Sequence, residues 1–400
     1  MAKLAILGFG TVGSGIYEVI RTNGESIKRK AGEEIEIKYI VDIRDFNDHL
    51  EKHLFTKDFN QVLNDPEVNV VAEVIGGIHP AYDFTKAALL AGKSVISSNK
   101  ELVATHGAEL LAIAKERGVK YFFEASVGGG IPIIMPLHQS MSANEIQEIK
   151  GILNGTTNYI LTQMIKENKS FETALADAQA KGYAEADPAA DVEGHDACRK
   201  IAILSSLVFG KHIDYKDIPT EGITKLTLAD AEAAKKLGYV IKLIGSSKRQ
   251  DGKVAARVAP MLVPVGHPLS GVDDVFNAVL VDGNATGEVM FYGRGAGKLP
   301  TASAVVSDII DAVRHNVDNI LWGPYQEGSM AEPDVQQYNY YIRVKGVTPN
   351  QAEEVFGKPK LVLVPENDEI VLITEMMSEN ELKEKLTNIQ QAAQVIRVLA

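Results

Sequence analysis

Over the first third of the chain, short apolar runs alternate with stretches whose apolar residues recur at helical spacing. Lys3-Leu4-Ala5-Ile6-Leu7-Gly8 is such a run, and Ile16, Val19 and Ile20 then share one helical face. Residues 35–43, 68–75, 94–97 and 120–123 read as further strands. Residues 80–91 and 107–117 read as helices. Strands alternating with helices build a parallel, doubly wound sheet, because each crossover helix covers a sheet face. Residues 1–130 are therefore expected to form an α/β domain of this kind.

The pattern changes at the turn cluster Gly128-Gly129-Gly130-Ile131-Pro132. A strand at 145–153 and helices at 157–167, 170–181 and 194–209 follow. Alternating segments at 253–263 and 275–292 read as strands, and 301–315 as a helix. Residues 131–322 are expected to form an α+β domain for substrate and dimerisation, with part of 301–320 packing back on the first domain. Beyond Trp322-Gly323-Pro324 and a polar link, residues 335–400 read strand, helix, strand, strand, helix, strand. That βαββαβ order is ferredoxin-like.

Composition narrows the function. The net charge of -12 disfavours nucleic acid and anionic membranes, which need clustered Lys and Arg. No apolar run approaches the ~20 residues of a membrane helix. The N-terminus lacks a leader pattern, and the lone Cys198 permits neither an intramolecular disulfide nor a zinc cluster. A cytoplasmic protein is expected.

Gly8-Phe9-Gly10-Thr11-Val12-Gly13 matches G-x-G-x-x-G after a strand and before a helix. The first glycine permits the tight turn, the second admits a pyrophosphate, and the third lets helix and strand pack closely. Free N–H groups at the helix start then face the phosphates. The second strand ends at Asp42, with Arg44 just beyond. An acid there suits the ribose of NAD, and an arginine suits the 2′-phosphate of NADP. Both remain open, and Arg44 tilts the expectation toward NADP.

Four later segments stand in register behind this turn: Ser98-Asn99-Lys100, Phe123 to Pro132, Gly151 to Asn158, and Lys181 to Lys200. Together they resemble homoserine dehydrogenase, over residues 1–315 and in its monofunctional form. The resemblance implies a Rossmann sheet and interconversion of homoserine and aspartate 4-semialdehyde, a step toward threonine, methionine and isoleucine. It implies that Lys200 donates the proton and that Lys100 lies at the cofactor–substrate junction. Glu185 and Asp196 would bind the amino acid, joined by Asn154, Thr156 and Asp191. Gly76, Gly182, Gly295 and Gly297 would contact the cofactor. A monovalent cation, sodium, would be held by Glu124 and the carbonyls of Val127, Gly129 and Ile131. A homodimer is implied. The tail resembles an ACT domain, which in this family can sense threonine. It lacks the Asp and Gly-Val-Leu pattern of the ligand loop, so a role in dimer contacts stands equally open.

The residue types suit that chemistry. Hydride transfer to an aldehyde builds negative charge on oxygen, and a lysine ammonium offers both charge and proton. Paired or desolvated lysines have lowered pKa values, and Lys100 and Lys200 are candidates for such a pair. Asp196 and Lys200 stand one helical turn apart, so the acid orients the lysine or binds the substrate ammonium. Cys198 and His195 are expected to be, respectively, a packed residue and a solvent-facing or packed one. Two other readings remain: a different amino-acid or semialdehyde dehydrogenase, for which Cys198 is the one thiol candidate, and a non-catalytic dinucleotide and amino-acid sensor.

Overall fold

The computed structural model describes residues 1–314, 317–359, 361–363, 369–389 and 393–399. Its first sheet holds β1 (Ala2–Leu7), β2 (Ile35–Val41), β3 (Phe55–Thr56), β4 (Val68–Glu73), β5 (Ser94–Ser97) and β6 (Tyr121–Phe122). All pairs are parallel, in the order β3-β2-β1-β4-β5-β6. Helices α1 (Thr11–Ala31), α2 (Phe59–Asn64), α3 (Ala81–Leu90) and α4 (Lys100–Arg117) cross between strands. Leu4, Ala5, Ile6 and Leu7 are all fully buried, which is why β1 reads as an unbroken apolar run. The strand order reverses between β1 and β4, where dinucleotides bind in such sheets. The fourth helix begins earlier than its periodicity suggests, at Lys100, because the Asn99 side chain accepts from the Leu102 N–H at 3.1 Å and caps it.

The middle of the chain supplies β7 (Ile146–Ile152), α5 (Gly155–Glu167), α6 (Phe171–Ala180), α7 (Ala189–Val192), α8 (His195–Phe209) and α9 (Leu228–Lys236). It continues with β8 (Tyr239–Gln250), β9 (Lys253–Pro264), β10 (Phe276–Gly283), β11 (Gly287–Arg294) and α10 (Lys298–Arg314). The alternating run at 275–292 is a hairpin of two strands rather than one. The long β8 escapes the sequence pattern because its apolar half is buried on both faces and includes Lys242, which is 1% exposed and bonded to Asn158 and Val272. The last helix returns to the first sheet. A Cβ on Gly15 would lie 2.8 Å from the Lys298 carbonyl, so α1 and α10 touch through backbone.

In the tail, β12 (Gln337–Tyr338), β13 (Tyr340–Lys345), α11 (Pro349–Phe356), β14 (Leu361–Leu363), β15 (Glu369–Ile373), β16 (Met377–Ser378), α12 (Glu379–Thr387) and β17 (Ala393–Val398) follow. The order β17-β13-β15-β14, with antiparallel neighbours, is the ferredoxin-like one. Parts of the expected strand at 360–365 and helix at 378–391 lie outside the described residues. The tail sheet does not stand apart. Strand β17 pairs in parallel with β9, giving one nine-stranded mixed sheet. Among the described residues no helix is long and apolar enough to cross a membrane.

Candidate active site

The turn after β1 carries out the three glycine roles geometrically. Gly8 has φ +96°, and a Cβ there would crowd the Val74 carbonyl at 3.1 Å. A Cβ on Gly13 would sit 1.9 Å from the Gly8 carbonyl, so only glycine lets α1 meet the turn. Gly10 has open space beside it, as an approaching phosphate needs. Thr11 and Gly10 are exposed, and Val12 lines the cleft beyond. Phe9 closes the other side against Tyr17, Phe46, His49 and Phe55. Gly76, past the end of β4, is exposed with φ +90°.

Asp42 is engaged twice. Its carboxylate accepts the Phe9 N–H at 2.7 Å and the Arg44 guanidinium at 2.9 and 3.0 Å. The Arg44 guanidinium holds the Asp42 carboxyl down to about 2. The same guanidinium lies 5.2 Å from the Phe46 ring and is exposed on its outer side.

Below the turn opens a cleft of about 480 Å³ between the two sheets. Lys100, Asn154, Thr156, Gly182, Asp191, Asp196, Lys200, Gly295 and Gly297 all line it. At its floor Asp196 bridges both lysines: Lys100 Nζ lies 2.8 Å from one oxygen and Lys200 Nζ 2.8 Å from the other. Burial works against ionisation of Asp196, yet the two ammonium groups hold its carboxyl well below the usual range. Asp196 in turn holds Lys100 above the ordinary lysine value. The expected fall in lysine pKa is thus corrected for Lys100, because an acid stands between the two cations. Each Asp196 oxygen carries one lysine contact, which is the lysine-orienting role open to it, and Asp196 also lines the cleft that a substrate would enter. Lys200 also donates to the Leu153 carbonyl at 2.8 Å.

Asn154 joins the acids, donating to Asp196 at 2.9 Å and Asp191 at 2.7 Å. Burial pushes the Asp191 carboxyl up. The Thr156 hydroxyl donates to the Tyr183 carbonyl at 2.7 Å, so it fastens the segment that carries Glu185. Glu185 itself is exposed and does not line the cleft. The sequence reading missed the cleft-lining Ser98, Tyr183 and Arg294, the last 5.4 Å from the Phe276 ring. Cys198 is buried, bonded to the Tyr215 carbonyl, and outside the cleft; burial pushes its thiol up. His195 is exposed.

The Gly128–Gly130 turn presses on the turn after β11. A Cβ on Gly129, at φ +57°, would lie 2.3 Å from the Gly295 carbonyl, and Gly130 donates to the Arg294 carbonyl at 3.1 Å. Glu124, expected to face a cation, spends its carboxylate on the N–H groups of Ile133, Ile134 and Met135 at 2.6 to 2.8 Å. Buried Asp308 accepts the Glu124 N–H at 2.8 Å, and burial pushes both carboxyls up. Among the described residues no three His, Cys, Asp or Glu side chains converge as a metal cluster. The groups expected to hold a cation, Glu124 and the backbone carbonyls of Val127, Gly129 and Ile131, offer only oxygen, the donor type that hard cations take.

Comparison with known proteins matches residues 8–124 to the homoserine dehydrogenase NAD-binding domain model and residues 132–310 to the homoserine dehydrogenase model. The homoserine dehydrogenase of Bacillus subtilis is 40% identical over 97% of this chain and 94% of its own length. That of Pseudomonas aeruginosa is 45% identical over 78% of this chain and 72% of its own. Among solved structures, the homoserine dehydrogenase of Thiobacillus denitrificans superposes with a TM-score of 0.92 at 36% identity, covering 100% of this chain and 98% of that one. A hyperthermophilic archaeal homoserine dehydrogenase solved with NADPH gives 0.69 at 29% identity, over 80% and 99% of the chains.

Proposed function

The chain belongs to the homoserine dehydrogenase family and is an NAD(P)-dependent homoserine oxidoreductase, and from that premise we propose which of its residues do the work. Gly8 to Gly13, with Gly76, Gly182, Gly295 and Gly297 around them, would hold NAD(P), which when bound would supply or accept the hydride at the substrate's C4. Lys200 faces the C4 oxygen. In the reductive direction it gives that oxygen a proton, and in the oxidative direction it takes the proton back. Lys100 stays charged and stabilises the negative charge that grows on the same oxygen. The observation that carries this reading is Asp196, which holds one lysine from each half of the molecule at 2.8 Å.

Asp191, oriented by Asn154, receives the substrate ammonium from inside the cleft. Glu185 completes that site when the 182–188 segment folds inward. Arg44 accepts the 2′-phosphate by turning from Asp42, which makes NADP the preferred dinucleotide. The archaeal relative solved with NADPH supports that choice. The carbonyls of Val127, Gly129 and Ile131 would hold sodium, with Glu124 shaping the loop and lending charge, and an ion there would tie the first domain to the central sheet. Two chains associate through the central sheet, where Met290 and Tyr292 of the edge strand β11 are exposed. A cytoplasmic setting agrees with the lone, buried thiol.

Lys200→Ala tests the assignment. Turnover should fall by roughly 10²–10⁴, the usual worth of a positioned acid–base group, with NADPH affinity unchanged. Turnover near wild type would remove Lys200 from the mechanism.

A further inference from the structure

We infer that Glu73 is a positioning residue for the reaction, its buried carboxyl tying the glycine loop after β4 to the turn that delivers Lys100. Glu73 ends β4, beside the end of β1, where the strand order reverses. It is fully buried and does not itself line the cleft, though its backbone carbonyl accepts the N–H of cleft-lining Ser98 at 3.3 Å. Its Oε1 accepts the Ile75 N–H at 2.8 Å and its Oε2 accepts the Ser97 hydroxyl at 2.6 Å. Ser97 Oγ in turn accepts the Asn99 N–H at 3.0 Å. The Asn99 side chain caps α4 through Leu102 and donates back to the Gly77 carbonyl. The ring therefore closes: Glu73, Ile75 to Gly77, Asn99, Ser97, Glu73.

Each side of that ring carries a functional neighbour. Gly76 sits in the loop on one side, and Gly8 packs against the Val74 carbonyl at its base. On the other side Lys100 directly follows Asn99. Its ammonium must arrive within 2.8 Å of Asp196, which belongs to the other half of the molecule. Burying an acid at a strand end is costly, and an apolar residue would fill the same space without that cost. What the acid adds is a fixed spacing between two loops. Burial pushes the Glu73 carboxyl up, while its hydrogen-bond donors pull it back.

The inference rests on Lys100 acting at the junction, so the test separates the two. In the full-length protein, NADPH affinity is measured by fluorescence titration, alongside kcat, the homoserine KM and the melting temperature. Glu73→Ala should weaken NADPH binding and lower kcat, each by about tenfold or more, because a displacement of about 1 Å has that scale of effect. Ser97→Ala cuts only the arm toward Asn99. It should lower kcat by about tenfold while NADPH affinity and the homoserine KM stay within about threefold. Glu73→Gln, whose amide oxygen can still serve Ile75, should keep NADPH affinity, and Ser97→Ala, with its predicted loss of kcat, decides the case if Glu73→Ala does not fold. Folded variants that melt earlier yet keep wild-type affinity and kcat would overturn the inference. A Lys100→Ala variant that loses turnover beside a fully active Ser97→Ala overturns it alone. An active Lys100→Ala overturns the role given to Lys100, while the affinity arm for Glu73 is read independently.

Discussion

At the scale of single residues, the site turns on one acid between two cations. Asp196→Asn leaves Lys100 and Lys200 facing each other across a neutral amide. We expect kcat to fall by roughly 10²-fold, as for loss of one preorganised electrostatic group. The pH profile should move as well. Lys100 is raised above the ordinary ~10.4 of a lysine, so it is charged through the neutral range. Its contribution is complete below that value and is lost only as pH climbs through the raised one. In Asp196→Asn the alkaline limb of kcat should therefore start at lower pH, and a limb that does not move would contradict the bridge. Asp42 runs the other way. Its folded-state pKa is depressed to about 2, so its contribution to stability is present above the unfolded ~3.9 and is lost as pH falls from there toward about 2. Melting temperature against pH should show this acid loss in the wild type and not in Asp42→Asn. The Asp196–Lys200 pair is legible in the sequence, since helical spacing puts both on one face. The approach of Lys100 is not, because it depends on two halves of the molecule meeting. Nor does spacing reveal that Glu185 points away or that Asp308 is buried.

At the scale of elements, glycines set the joints, and their contexts predict different costs. Gly13→Ala forces a Cβ against backbone at 1.9 Å, which no rotamer relieves. It should cost about 3 kcal/mol, the upper end for overpacking, and abolish dinucleotide binding. Gly182→Ala, at φ +73° with open space around it, should cost only the ~1–2 kcal/mol of a left-handed backbone. Denaturant unfolding of both variants checks the order, and an equal or reversed cost would contradict the packing described. The parallel sheet was legible because doubly covered strands read as continuous apolar runs. The hairpin of β10 and β11 read as one strand, since both halves alternate around a short turn. The start of α4 was missed because a capping asparagine, not periodicity, fixes it.

At the scale of the whole molecule, the tail is built into the central sheet. Arg397 on β17 and Arg257 on β9 both pair with Glu379 and Glu221, and both guanidinium groups lie near the Tyr338 ring. A chain ending at residue 336 would expose the edge of β9 and strand Arg257 without Glu379. We expect it to melt well below the full chain and to aggregate, as unprotected edges do. A truncated chain as stable as the whole would contradict the shared sheet. The βαββαβ order was legible in the sequence, but its fusion to β9 was not, because register between distant strands leaves no local pattern. The most direct test of the whole account is homoserine-dependent reduction of NADP⁺ and NAD⁺, followed spectroscopically in the wild type and in Lys200→Ala. The account predicts turnover with homoserine, a higher kcat/KM for NADP⁺ than for NAD⁺, and almost none in the variant despite intact NADPH binding. Homoserine turnover that survives the loss of Lys200 would contradict it.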